Sequence, residues 1–149
     1  EFYDFHRRQG DLRYSDRVIY SPGVPVFRAD DGALLDKPYA VSFLTAAAPN
    51  LGAIMASQPM AAASVPAVLA VRAERVLAVA AAHGHRKLVL GAWGCGVFRN
   101  DPAAVAAVFA AQFARTQGHF DHVVFAVLDR QRGAPTHAAF ARVACLPAG

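Results

Sequence analysis

Two short, continuously apolar runs separated by one helical pattern constrain this chain most. The first, Lys87-Leu88-Val89-Leu90-Gly91-Ala92-Trp93, is too short for a helix and lacks polar alternation, which suits a strand buried on both faces of a parallel sheet. The second, Val123-Val124-Phe125-Ala126-Val127-Leu128, has the same character. Between them, residues 102–117 place Val105, Val108, Phe109 and Phe113 on one helical face, and residues 136–145 read as a further short helix. Strand, helix, strand, helix is the grammar of a right-handed parallel α/β sheet.

The upstream half is more varied. Residues 64–83 predict a helix with Leu69, Ala73, Val76, Leu77 and Ala80 as its apolar stripe, Pro66 in its first turn and Gly84 ending it. Residues 17–20 and 24–28 read as short strands around a Ser21-Pro22-Gly23 turn, and Asp30-Asp31-Gly32 suggests a hairpin. Pro25 removes a ladder donor, so its strand belongs at a sheet edge. Residues 39–45 form a stronger strand, whereas residues 51–63 lack a period and are expected to be a loop with helical turns allowed.

At 149 residues and 55% hydrophobic composition, the chain has material for one core and is treated as one domain, 1–149. Its net charge of +4 suits phosphorylated ligands, but the cations are dispersed and form no basic arm, which argues against dedicated nucleic-acid binding. Cys95 and Cys145 are far apart and match no disulfide or metal framework, which fits a reducing, cytoplasmic setting. No run approaches the roughly 18 apolar residues of a membrane span. Residues 1–8 read as the tail of a helix already in progress, so the sequence is expected to belong to a longer protein.

The chemistry is concentrated in Gly94-Cys95-Gly96-Val97-Phe98-Arg99-Asn100. This loop leaves the first apolar run and enters a helix opened by Asp101-Pro102, a cap followed by a residue whose missing N–H costs nothing there. Glycines, unpaired amides and a helix N-terminus converge on a place suited to an anion. It is not a dinucleotide fingerprint, because the third glycine position holds Arg99, nor a Walker loop, because no Gly-Lys-Ser/Thr follows. A nucleophile elbow around Cys95 would need glycines where Trp93 and Val97 stand.

The segment Leu90-Gly91-Ala92-Trp93-Gly94-Cys95-Gly96-Val97-Phe98-Arg99-Asn100-Asp101-Pro102 resembles the second phosphate loop of the macrodomain fold, in its microbial-type poly(ADP-ribose) glycohydrolase branch. Val18-Ile19-Tyr20-Ser21-Pro22, Val24-Pro25-Val26-Phe27-Arg28, Ser42-Phe43-Leu44-Thr45 and Ala48-Pro49-Asn50 carry the same resemblance. It implies a three-layer α/β/α fold with a mixed, mostly parallel central sheet, of which this chain would be the C-terminal portion. It also implies binding of ADP-ribose or poly(ADP-ribose), with hydrolysis of ribose-ribose bonds in the parent protein and ADP-ribosylated proteins as further partners. By position, Gly94, Cys95, Gly96 and Val97 would lend amides to the diphosphate while Phe98 covers the distal ribose. Arg99, Asn100 and, at the last strand's end, Asp129 complete the expected contacts.

The family's catalytic signature, a triple glycine followed by Gln-Glu-Glu, has no counterpart here. The only glutamates are Glu1 and Glu74, and neither lies in such a motif. No catalytic residue is therefore assigned, and the N-terminal portion that carries the signature is expected to lie outside this sequence. A non-catalytic reader of ADP-ribosylated partners would need the same loop and no glutamate. No cofactor is implied, and no metal site either: His83 and His85 stand two apart near a helix end, where they offset its dipole.

Overall fold

The computed structural model describes residues 1–116 and 118–144. Helix α1 (Phe2–Gln9) ends at Gly10, whose φ of 65° gives the left-handed termination that glycine favours. Strands β1 (Val18–Arg28) and β2 (Leu34–Ala46) then form one long antiparallel hairpin. The two short strands expected from residues 17–28 are thus a single strand, and Ser21-Pro22-Gly23 is an irregularity in its register, with Gly23 at φ 62°. A β-bulge accounts for this: the extra residues bend the strand without ending it.

Residues 51–63, expected to be a loop with helical turns allowed, are more regular than that: helix α2 (Leu51–Ser57) is followed by a 3-10 turn (Pro59–Ser64). The signal was Asn50, whose side chain accepts from Ala53 N and caps α2. Helix α3 (Val65–Ala82) buries Leu69, Ala73, Leu77 and Ala80 as the apolar stripe requires. Strand β3 (Lys87–Gly91), helix α4 (Pro102–Arg115) and strand β4 (His122–Ala126) form a parallel strand pair with its connecting helix, and α5 (Pro135–Ala144) closes the described chain. Cys145, expected to end this last helix, lies outside the described residues.

The architecture is mixed α/β, as expected. The core joins Ile54, Val65, Leu69 and Ala73 to Val105, Ala106, Phe109 and Phe140, with Leu90, Phe125 and Val127 of the parallel pair packed against them. One expectation is corrected: β3 and β4 are not buried on both faces. Val89 and Val124, opposite each other in the ladder, are 76% and 41% exposed, because the helices of the described residues cover only the face carrying Leu90 and Phe125.

Arg72, a charged residue on the buried side of α3, ties three segments together. Its Nε donates to Asp16 Oδ1 at 2.8 Å, and its Nη1 donates to the carbonyls of Arg13 and, at 3.0 Å, Ala47. With the guanidinium buried, its loss strands both carbonyls and leaves Asp16 without its cation. Replacing Arg72 by Met should lower the unfolding free energy by about 3 kcal/mol. Arg75→Met, at an exposed neighbouring position, should change it by no more than about 0.5 kcal/mol; urea denaturation of both variants checks the contrast.

Candidate functional site

The glycine loop is shaped by which of its amides are used internally. Cys95 N donates to Ala92 O, Arg99 N to Gly96 O and Asn100 N to Gly94 O, at 3.0 to 3.1 Å. The Cys95 amide, expected to serve a phosphate, is thus spent on closing the turn. Among the described residues no acceptor engages the amides of Gly94, Gly96, Val97 or Phe98. Those four residues line a cavity of about 1040 Å³. An unbonded N–H turned toward such a space is a donor waiting for an anion.

Two anchors hold the loop in this shape. Buried Asn100 donates from Nδ2 to Pro49 O at 2.8 Å and to Gly94 O at 3.0 Å, and Gly52 N donates to Phe98 O at 2.9 Å. Gly94 cannot carry a side chain: its φ is 72°, and a Cβ would stand 2.5 Å from Asn100 Nδ2 and 2.6 Å from the Ala48 Cβ. Gly96 is the opposite case, since a Cβ there would meet nothing within 4 Å. Its surroundings on the protein side are open.

The rest of the cavity comes from residues that sequence reasoning did not select. Phe2, Tyr3, His6 and Arg7 of α1, Asp11 and Tyr14 after it, Thr45 to Ala48 at the end of β2, and Trp93 complete the wall. Tyr14 has a φ of 61°, a costly conformation for a bulky residue, and its ring lies 5.9 Å from that of Phe98. His6 packs edge-on against Phe2 and Tyr14. The available signal was the i, i+4 spacing of Phe2 with His6 and Tyr3 with Arg7, which puts an aromatic and basic face on one short helix.

Two ionisable groups in this wall, His6 and Asp11, are tied to their neighbours. His6 Nε2 accepts from Ser15 N at 3.1 Å, so the neutral ring carries its proton on Nδ1. Burial lowers its pKa below the ordinary histidine value, with the charges of Arg72 and Arg17 acting in the same direction. Asp11 is gripped by Arg13, whose Nε and Nη2 donate to the two carboxylate oxygens at 3.1 and 2.8 Å. That guanidinium holds the Asp11 carboxyl below the usual carboxylate range.

Four residues expected at the site, Cys95 among them, do not line the cavity. Arg99 is exposed and lays its stem over Gly52, where a Cβ would come within 3.0 Å of Arg99 Cδ. Asn100 is buried and spends its amide on the two carbonyls already named. Asp129 caps α5 instead, accepting from Gln131 N, Thr136 N and His137 N, and these backbone donors lower its pKa. The helix N-terminus expected to face the anion is likewise taken, because Asp101 accepts from Ala103 N and Ala104 N. The donors of the site are therefore loop amides and not the end of α4.

Cys95 is half-buried, its Sγ lies 3.7 Å from Trp93 O, and burial beside the Asp101 charge pushes its thiol up to about 11. A thiol this reluctant to ionise is a poor nucleophile at neutral pH. Iodoacetamide at pH 8 should label Cys95 on the order of 100-fold more slowly than an unhindered free thiol, as read by peptide mapping. Labelling at the free-thiol rate would contradict the burial described.

Comparison with known proteins adds the family. A model described as microbial-type PARG, catalytic domain, matches residues 1–29. No curated protein sequence matches the chain. Among solved structures, the poly(ADP-ribose) glycohydrolase of Deinococcus radiodurans in complex with ADP-ribose superimposes with a TM-score of 0.91 at 50% identity, covering 95% of this chain and 57% of that one. Its apo form gives 0.92 at 50% identity, covering 97% of this chain and 61% of that one. The poly(ADP-ribose) glycohydrolase of Thermomonospora curvata gives 0.85 at 58% identity, covering 95% of this chain and 52% of that one. The chain thus spans little more than half the length of these relatives. With half or more of its residues identical and its backbone in register almost throughout, it belongs to the microbial-type poly(ADP-ribose) glycohydrolase family.

Proposed function

We propose that this chain supplies the diphosphate- and ribose-binding wall of an ADP-ribose site, within a macrodomain-type protein that hydrolyses poly(ADP-ribose). The observation that carries this reading is the set of four loop amides, Gly94, Gly96, Val97 and Phe98, left without acceptors beside a cavity large enough for a nucleotide-sized ligand. The Deinococcus radiodurans relative, with ADP-ribose in its structure, shares this backbone at a TM-score of 0.91. In this reading residues 94–98 are a phosphate-binding loop, and Gly96 admits the closest approach of backbone to ligand. Phe98 and Tyr14 offer flat apolar cover to a sugar or base.

Chemically, the wall binds and does not cleave. Breaking a glycosidic bond passes through an oxocarbenium-like state and requires an acid that is protonated at rest and poised at the leaving oxygen. Among the described residues the cavity holds one carboxyl, that of Asp11, which Arg13 keeps ionised. Glu74 lies on the exposed face of α3, 3.9 Å from Arg115 Nη1. The cleaving carboxyl accordingly belongs to polypeptide that this chain does not include, and the chain's unpaired, half-buried Cys95 suits a reducing, cytoplasmic setting. ADP-ribosylated proteins would present the same ADP-ribose unit to the same amides.

Isothermal titration of the 149-residue chain with ADP-ribose should show one site, with no release of ADP-ribose from polymer above background. Gly96→Glu should weaken binding by about tenfold or more, because a carboxylate is placed against the diphosphate. Its thermal midpoint should stay near that of the parent, since a side chain at Gly96 meets open space. Gly94→Ala should lose both binding and stability. Unchanged affinity in Gly96→Glu would overturn the phosphate-loop reading, and polymer cleavage by this chain would overturn its catalytic silence.

A further inference from the structure

Tyr14 stands in the cavity wall at a φ of 61°, and the chain is pinned on each side of it. Upstream, Tyr14 N donates to Asp11 O at 2.9 Å, and Arg72 Nη1 donates to the carbonyl of Arg13. Downstream, the amide and the hydroxyl of Ser15 converge on a single atom. Ser15 N donates to His6 Nε2 at 3.1 Å, and Ser15 Oγ lies 2.7 Å from the same nitrogen. Backbone strain persists only where its surroundings over-determine it, and His6 supplies the downstream half of that constraint. The ring so placed lies 5.9 Å from that of Phe98, whose own amide is one of the four without an acceptor.

The bond from Ser15 N requires a lone pair on Nε2, so it exists only while the imidazole is neutral. A proton on Nε2 turns the acceptor into a donor. The Ser15 hydroxyl can rotate and accept from it, but the amide cannot, and two N–H groups then face each other across the former bond. The titratable and charged groups around His6 are Tyr3 and Arg7 on its own helix, Asp11, Tyr14 and Arg17 on the segment that follows, and Arg72 from α3. Asp11 is paired with Arg13, and Asp16 nearby is paired with Arg72. The cations around the ring therefore oppose its charging, and both carboxylates are already engaged. Burial acts in the same direction and holds the ring below the ordinary histidine range.

From this geometry we infer that neutral His6 is a positioning residue for the ADP-ribose site: by accepting from Ser15 N it holds Tyr14 against Phe98, and protonating it releases that aromatic pair and weakens ligand binding. His6 acts here through Ser15 and Tyr14. The inference rests on the ADP-ribose reading for its affinity readout, whereas the contact between the two rings is read without ligand, so the failures of the two are distinguishable.

The test compares the 149-residue chain with His6→Gln and His6→Leu. Glutamine offers an amide oxygen to Ser15 N at any pH, whereas leucine offers no acceptor. By nuclear magnetic resonance of the ligand-free protein, cross-relaxation between the Tyr14 and Phe98 rings should be strong at about pH 7.5 and lost at about pH 5 in the parent, which crosses the histidine range. It should be present at both values in His6→Gln and absent at both in His6→Leu. Isothermal titration with ADP-ribose should show the parent weakening by about threefold or more over the same interval, with His6→Gln holding its affinity. Because the folded ring binds its proton less readily than the unfolded one, the parent should also lose stability as pH falls through about 6.5, and His6→Gln should lack that component. An acid response that persists undiminished in His6→Gln, or ring contacts that survive in His6→Leu or in the parent at about pH 5, would overturn the inference. Should His6→Leu fail to fold, the pH response of His6→Gln against the parent decides alone. Should ADP-ribose bind at neither pH, the ligand reading fails and the ring contacts still decide whether His6 positions Tyr14.

Discussion

The amide of Asn100 is the contact on which the site depends. It is buried, it bonds Gly94 O from within the loop, and it bonds Pro49 O from the segment that leads into α2. Two donors on one rigid group thus fix both the closure of the loop and its seat on the rest of the fold. Because Gly94 O is also the acceptor for Asn100 N, the turn is tight enough to use up the amides of Cys95, Arg99 and Asn100. The amides of Gly94, Gly96, Val97 and Phe98 are left outside that closure. The anion-binding character proposed for the loop would therefore follow from how it is tied down, not from its glycine content alone.

A similar economy runs through the wall opposite. Arg72 reaches from α3 to the carbonyls of Arg13 and Ala47 and to Asp16, so the link from α1 to β1 and the end of β2 are held by one buried cation. Asp11 and Arg13 neutralise each other on the cavity rim, and the Asx-type contact of Arg13 N with Asp11 Oδ1 precedes the residue whose backbone is strained, Tyr14. Strain at Tyr14 is tolerated because the surrounding contacts over-determine it, and its result is a phenol ring set beside Phe98.

What could be read from the sequence was what residue type encodes directly. A glycine that must sit at positive φ, an aspartate that caps and a proline at a first helical turn are local statements, and the loop, α3 and α4 followed from them. Less legible were residues whose role is set by partners distant in sequence. Arg72 reads as a surface cation until its three partners are brought together, and Asp129 sits where a strand-end rule expects ligand contact but caps α5. The unbroken apolarity of Val89 and Val124 suggested a strand buried on both faces, but among the described residues only the face carrying Leu90 and Phe125 is covered. Helix α2 was legible only as allowed helical turns, because it is short and has one buried residue, Ile54, so no period could emerge.

The distribution of charge explains where a cleaving group can stand in the proposed enzyme. A carboxyl that protonates a leaving oxygen must keep its proton near neutral pH, which requires burial away from cations. The wall described here is the wrong environment: Arg7 lines the cavity, Arg13 grips Asp11, and Arg72 lies close enough to depress His6. Any carboxyl placed among them would be held ionised, as Asp11 is. In the proposed enzyme the acid therefore stands clear of these three cations.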